Sequence, residues 1–433
     1  MPTTPETRTI KVGALTRVEG EGALLVRIRG DTVAKLELRI YEPPRFFEAL
    51  LRGRPFSDAP DITARICGIC PLAYITSACQ AMEDALGAPV EGALRDLRRL
   101  AYCGEWIESH VLHVAMLHAP DFLGVPDAFA IAETDPDLVK TALRLKRLGN
   151  RILEVVGGRA VHPVNFRVGG FYKVPNRDAV KALAEPLRWG IEAAVGMTAA
   201  VAAFDFPDLD VAATLVALRE DGAYPIDRGR IVSDRGLDVP VADFGRHFGE
   251  EHVARSNALH GMTAAGEPYL TGPLARYTLN HDRLSPLARQ AAAEAGLGPE
   301  CRNPFRSIIV RMVEVIYACE EALRLVEAYT PPEAPAVPVV AGAGEGHGAS
   351  EAPRGLLYHH YRLDGEGRIT FADIVPPTAQ NQKQMEADLR AVVEANLGAD
   401  DATLRWRCEQ AIRNYDPCIS CATHFLDVRV ERG

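Results

Sequence analysis

Cysteine pairs of the form Cys-x-x-Cys occur twice in this chain. One is Cys67/Cys70, within Arg65-Ile66-Cys67-Gly68-Ile69-Cys70-Pro71. The other is Cys418/Cys421, within Asp416-Pro417-Cys418-Ile419-Ser420-Cys421-Ala422-Thr423-His424. Thiolates are soft donors, and four of them brought together make a site for a soft metal. A zinc ribbon closes its ligand loop locally, within a few tens of residues. Here most of the chain lies between the two pairs, so a shared site forms only when the whole chain folds around it. That points to the centre of an enzyme rather than a staple for a small module.

Composition narrows the class. The 433 residues are 47% hydrophobic and 24% charged, as in an ordinary globular protein. A formal charge of −10 argues against a nucleic-acid surface, which needs a basic patch. No apolar segment follows Met1, and the most apolar helical stretch, 191–204, is shorter than the roughly 20 residues that span a bilayer. A cytoplasmic protein without a membrane span is expected. Of the nine cysteines, Cys79, Cys103, Cys301, Cys319 and Cys408 sit in apolar, helix-like surroundings and read as small buried hydrophobes.

Residues 8–40 carry strand signals at 9–12, 23–28 and 33–40, separated by Gly20-Glu21-Gly22 and Gly30-Asp31. From Pro44 the pattern becomes helical, with apolar residues at spacings of three and four over 45–53, 71–86, 91–118, 136–154, 178–203, 285–295 and 304–329. Residues 157–163 and 168–171 are glycine-rich and irregular. Residues 331–353 are rich in Pro, Gly and Ala; they read as an ordered loop leading to a second strand region near 356–375. The expected fold class is mainly α with small β-sheets (α+β). The expected organisation is one large catalytic domain over 1–433: an N-terminal β region at 8–40, a helical body at 45–330, a loop and β region at 331–380, a C-terminal helix and metal-binding segment at 381–424, and a short tail at 425–433.

The two cysteine frames resemble the paired signatures of the nickel-iron hydrogenase large subunit. Other segments resemble that family in the same order: Thr16-Arg17-Val18-Glu19-Gly20, Arg45-Phe46-Phe47-Glu48, His118-Ala119-Pro120-Asp121-Phe122, Leu270-Thr271-Gly272-Pro273-Leu274-Ala275-Arg276 and Ala352-Pro353-Arg354-Gly355. The resemblance implies the fold of that subunit and a buried nickel–iron centre. Cys67 and Cys418 would be terminal nickel ligands, and Cys70 and Cys421 would bridge to an iron carrying carbon monoxide and cyanide. It implies that Glu19 shuttles protons through contact with Cys418, with a raised pKa. It implies that Arg354, beside Pro353, lies over the open metal position with Asp121 and Asp416 flanking it, and that Thr378 offers a hydroxyl to a cyanide. Glu48 and His424 would hold a second metal, magnesium or iron. His110, His113 and His118 share one helix; helical spacing puts only the first two on one face, and they read as packing and hydrogen-bonding residues.

Two departures stand out. Many relatives carry a histidine where this chain has Tyr74. A tyrosine can hydrogen-bond a sulfur but cannot shuttle protons near neutral pH. The tail after His424 is short, and Phe425 is not the small residue expected where a maturation endopeptidase cuts. With no further cysteine set for iron–sulfur clusters, the resemblance implies a separate iron–sulfur small subunit. The likeness to the bidirectional, sulfhydrogenase-type group adds a flavin-bearing partner that reduces NAD or NADP, along with nickel-insertion factors. Competing readings are a hydrogen sensor, a non-catalytic quinone-reductase-like subunit, against which the presence of all four cysteines argues because those relatives have lost them, and a zinc protein.

Overall fold

The computed structural model describes residues 7–423; His424 lies outside them. Strands Thr7–Val12, Gly22–Arg29 and Thr32–Ile40 form an antiparallel sheet in sequential order, with Ile10 opposite Val26 and Leu24 opposite Leu38. Alternation of apolar and polar residues turns Ile10, Val12, Val26 and Ile28 inward. The loop between the first two strands leaves this sheet and carries Arg17 and Glu19 toward the C-terminal cysteine frame. There Glu19 and Cys418 form an isolated parallel bridge.

Helices occupy the segments that the apolar spacing marks: Pro71–Ala85, Gly92–Leu112, Pro136–Gly157, Ala184–Ala202, Pro286–Glu294 and Ser307–Ala328. Gly92–Leu112 packs against Pro136–Gly157 and Ser307–Ala328, and Ser307–Ala328 also packs against Ala184–Ala202. One continuous core runs through these helices and the N-terminal sheet. No described helix is long and apolar enough to cross a membrane.

The segment 204–284 differs from a uniform helical body. It holds strands Thr214–Arg219, Arg230–Ser233, Asp238–Val239 and Tyr269–Leu270 in one mixed sheet, and a hairpin of Phe248–Glu251 with His260–Thr263. A second apolar cluster built on Val216, Ile231, Phe244, Tyr269 and Tyr358 underlies it. These strands are two to six residues long, too short for alternation to register against helical spacing.

A second difference lies at 344–352. Here the glycine-rich run is a strand, Gly344–Ala352, paired with Gly355–Leu363, which pairs with Ile369–Val375. Its glycines alternate because the strand lies flat on the Pro71–Ala85 helix. A Cβ on Gly344, Gly346 or Gly348 would meet the carbonyl oxygens of Ala85, Ala81 or Ser77 at 2.0, 2.1 and 2.3 Å. Two strand residues advance about 6.6 Å and four helix residues about 6.0 Å, so the two backbones keep step. Glycine, a poor strand former, is used here for close approach rather than for a turn.

Substituting Gly346 by Ala should therefore cost roughly 1–3 kcal/mol or more through overpacking. Gly365→Ala, which meets nothing within 4 Å, should be near neutral. Thermal unfolding of the two variants checks this difference.

Candidate metal centre

Each cysteine frame is positioned by its own backbone. Cys67 is extended, after a short turn over Ala64–Ile66, and Cys70 caps the Pro71–Ala85 helix with Pro71 as its first residue. The N–H groups of Ile69 and Cys70 donate to Cys67 Sγ at 3.3 and 3.1 Å. Glu105 accepts the next two helix N–H groups, from Leu72 at 2.6 Å and Ala73 at 3.0 Å. In the second frame Asp416 adopts a left-handed conformation with φ 50° before Pro417, and Ser420–Thr423 make one 3-10 turn. Arg45 joins the frames: its guanidinium donates to the carbonyls of Ile66 (2.6 Å) and Ser420, and its N–H to that of Thr423 (2.8 Å).

The four sulfurs meet in the buried interior. Cys67 Sγ lies 2.9 Å from Cys70 Sγ and 3.5 Å from Cys418 Sγ, and all four lie within 4.8 Å of one another. All four cysteines are free of disulfides and almost wholly buried. Burial alone would push Cys67 up, but hydrogen bonds from the other three sulfurs and the Arg354 charge hold it well below the usual thiol range. Burial pushes Cys418 and Cys421 up, and the hydrogen bonds shared among the sulfurs leave Cys70 raised as well. A soft metal cation would displace the thiol protons and take all four sulfurs as ligands, a donor set that accommodates nickel as it does zinc.

Arg354 reaches the sulfurs from a tight hairpin tip. Pro353 and Arg354 form the turn between Ala352 and Gly355, which pair directly. The Arg354 guanidinium donates to the Asp416 carbonyl at 2.7 Å and carboxylate at 3.1 Å, and lies 3.8 Å from Cys70 Sγ. Burial opposes its charge, but Asp416 and the sulfurs more than restore it. The tip is held from behind by Arg276, which donates to the carbonyls of Ala352 (2.7 Å) and Pro353 (2.9 Å) and to Glu314 with both arms of its fork at 2.8 Å. It also pairs with Glu351 at 3.1 Å. Arg276 holds Glu314 down at about 2 against the effect of burial. Gly272, at φ 109°, passes so close that a Cβ would sit 2.6 Å from the Arg354 carbonyl oxygen.

Glu19 lies in contact with Cys418. Its carboxylate accepts from Cys418 Sγ at 3.1 Å and from the Ser420 N–H at 3.0 Å, and its carbonyl accepts the Ile419 N–H at 3.0 Å. It is half-buried rather than fully buried. The Thr378 hydroxyl accepts the Cys418 N–H at 3.0 Å and keeps its own proton to donate. Glu48 accepts the Ile374 N–H at 2.9 Å, and burial pushes its carboxyl up to about 7. Its expected companion, His424, is outside the described residues.

Asp121 is placed differently from the expectation. Its described partners are Arg17 (2.6 Å), Arg413 (2.8 Å) and His118 (3.2 Å), whereas Asp416 is the carboxylate beside Arg354. Despite burial, His118 and the two arginines hold Asp121 below the usual carboxylate range. It ties the Glu19 loop to the Asp401–Arg413 helix that leads into the second frame. The histidines also differ. Residues 113–118 form a π-helical turn, which stacks positions five apart, and the His113 and His118 rings are 5.2 Å apart. His113 lies 2.7 Å from the Arg413 carbonyl, His118 2.9 Å from Asn414, and His110 2.9 Å from Glu314. Burial pushes His110 down to about 4 and the other two down as well. Arg17, Arg45, Arg276 and Arg413 carry the scaffold, and single-residue reasoning assigns them no role. Three lie inside motifs quoted for other residues, and Arg413 lies three positions before Asp416.

Arg276→Met would leave Glu314 and Glu351 buried without their cation, a change that typically costs roughly 3–5 kcal/mol. A large fall in unfolding temperature is expected, and Arg276→Lys, which lacks the fork, should recover only part of it.

The comparisons with known proteins agree with this geometry. The family model for nickel-dependent hydrogenase matches residues 45–141 and 266–424. The chain is 34% identical to sulfhydrogenase 2 subunit alpha of Pyrococcus furiosus, over 96% of this chain and 99% of that one. It is 29% identical to the NAD-reducing hydrogenase HoxS subunit beta of Cupriavidus necator, over 97% and 95%. It superposes on an NAD+-reducing [NiFe]-hydrogenase in the H2-reduced state with a TM-score of 0.88, at 25% identity, covering 96% of this chain and 99% of the other. The chain therefore belongs to the nickel-dependent hydrogenase family and is a catalytic large subunit of that family.

Proposed function

We propose that this subunit interconverts H2 with two protons and two electrons at a nickel–iron centre in the four-cysteine pocket. The observation that carries the reading is the convergence of four buried sulfurs from frames 351 residues apart, with a carboxylate and a guanidinium at hydrogen-bonding range. In this reading Cys67 and Cys418 are terminal nickel ligands. Cys70 and Cys421 would be the sulfurs shared with an iron that would carry carbon monoxide and cyanide. When bound, the metal pair supplies the redox capacity and Lewis acidity that splitting H2 requires.

The chain's own groups do the rest. Arg354, fixed by Asp416, presents a permanently charged fork to the open face of the centre. Pro353 shapes the turn that aims it. The spare Thr378 hydroxyl proton is available to a cyanide nitrogen. Glu19 takes the proton released at Cys418 Sγ through the contact at 3.1 Å and, being half-buried, hands it outward. Asp121 acts at one remove, by fixing the loop that bears Glu19 through Arg17. Glu48, with His424, would hold a second metal, magnesium or iron.

Electrons leave through a partner. Among the described residues the remaining cysteines are buried and form no further four-sulfur group, and burial pushes Cys79 and Cys408 up to about 12. A small iron–sulfur subunit and a flavin-bearing subunit that reduces NAD or NADP complete the enzyme. That two relatives are named as subunits of a sulfhydrogenase and of an NAD-reducing hydrogenase supports partner subunits and a nicotinamide acceptor; a cytoplasmic location completes the reading. Nickel-insertion factors and a maturation endopeptidase are the assembly partners of this reading, and mass spectrometry of the tail beyond His424 decides whether it is cut after loading.

Infrared spectroscopy with metal analysis of the purified complex tests the centre. Bands of iron-bound carbon monoxide and cyanide, with about one nickel per chain, are expected; zinc without such bands would overturn the reading. In Glu19→Gln those bands should persist while H2 turnover falls by about 10²-fold or more, the usual scale of a lost proton-transfer group. Turnover at the parent rate would remove Glu19 from the proton path.

A further inference from the structure

The Gly344–Ala352 strand turns its glycine face to a helix, and its other face carries a second group of metal-ligating side chains. Glu345 and His347, two residues apart, point the same way. His360 of Gly355–Leu363 is the direct cross-strand partner of His347. The two imidazoles stack with centroids 4.2 Å apart, and His360 Nε2 lies 2.8 Å from Glu345 Oε1. One ligand atom from each of the three residues lies within 4.8 Å of the other two, with Glu345 exposed and both histidines half-buried.

The surroundings orient this group. His347 Nδ1 is 2.8 Å from the Tyr358 hydroxyl, an arrangement that assigns Nδ1 to the protein and leaves Nε2 for a ligand. The His347 N–H donates to Asp84 at 2.9 Å, so backbone and ring are both held. Burial, with the neighbouring His360, keeps His347 below its ordinary range and hence in the neutral, ligating form at neutral pH. Arg362 donates to Glu345 at 3.1 Å, but to the same Oε1 that faces His360. The other carboxylate oxygen takes no part in these bonds. A plain surface ion pair accounts for Glu345 with His360 and Arg362, but not for a second imidazole stacked on the first and oriented by a buried tyrosine.

We propose that Glu345, His347 and His360 form a binding site for a late first-row divalent cation, with Zn2+ as the best-matched occupant, distinct from the four-cysteine centre. Two imidazole nitrogens and one carboxylate oxygen are a donor set for such ions, and they leave a further position to solvent. Metal–ligand distances of about 2.0–2.1 Å bring ligand atoms to about 3.3 Å apart, so binding requires the two stacked imidazoles, now 20° from parallel, to tilt toward a common point while the exposed Glu345 side chain rotates to meet them. A bound cation would clasp the two strands whose shared turn carries Arg354. The inference does not depend on the hydrogenase reaction.

The test uses the assembled complex, cleared of loosely held metal with a chelator and titrated with Zn2+ by calorimetry. The expected result is uptake of one equivalent that is lost in the double variant His347→Gln/His360→Gln and weakened about tenfold in Tyr358→Phe. Glu345→Gln, an exposed change, should also weaken it if the double variant fails to fold. Because the cysteine pocket is the same in every variant, any uptake there cancels. Co2+ loading should add only the weak visible bands of nitrogen and oxygen ligation. Equal uptake by parent and variants, or only the intense near-ultraviolet bands of thiolate ligation, would overturn the proposal.

Discussion

Four sulfurs within a few ångströms in a buried interior set the problem that the rest of this structure solves. At an effective dielectric constant of 20, two unit charges 3.5 Å apart repel by about 5 kcal/mol, and four thiolates within 4.8 Å of one another would make six repelling pairs of comparable size. Positive charge must therefore be built around them. Backbone N–H groups point at Cys67, Arg354 approaches Cys70, and the donor set awaits metal cations for the remainder. The same desolvation makes Arg354 costly to bury, and Asp416 answers it with both its carboxylate and its carbonyl.

That requirement propagates outward as buried charge pairs. Arg354 rests on a hairpin tip, the tip rests on Arg276, and Arg276 rests on Glu314 and Glu351. Glu19 stands on a loop anchored by Arg17 to Asp121, which Arg413 also holds. A buried pair stabilises little by itself, but removing one member strands the other. The scaffold thus enforces position through the penalty for disorder. It suits a site whose proton donor and acceptor, Cys418 and Glu19, come from opposite ends of the chain.

The π-helical turn at 113–118 and the glycine strand at 344–352 show where local rules give way. Spacing arithmetic for an α-helix separates His113 from His118, yet the π-helical turn brings their rings into tilted contact and lets them hydrogen-bond Arg413 and Asn414 beside the second frame. Gly344, Gly346 and Gly348 read as loop by composition because glycine weakens strands in isolation. Against a helix whose facing residues are Ser77, Ala81 and Ala85 they are the residues that fit. Asp121 was legible as an important carboxylate from its motif. Its partners were not, because Arg17 and Arg413 lie 104 and 292 residues away.

The sequence by itself determined the ligand chemistry, the helical body and the order of the motifs. Cysteine spacing, apolar periodicity and motif order are local properties of the chain, readable without knowing what packs against what. It also made Glu19, Arg354 and Asp416 visible, each through its place in a short motif. Tertiary structure alone decided which carboxylate faces Arg354, which arginines brace the hairpin tip, and that Glu345, His347 and His360 share one face. Those are pairings between segments distant in sequence. Burial sets their energies, and burial exists only once the chain has closed around its sulfurs.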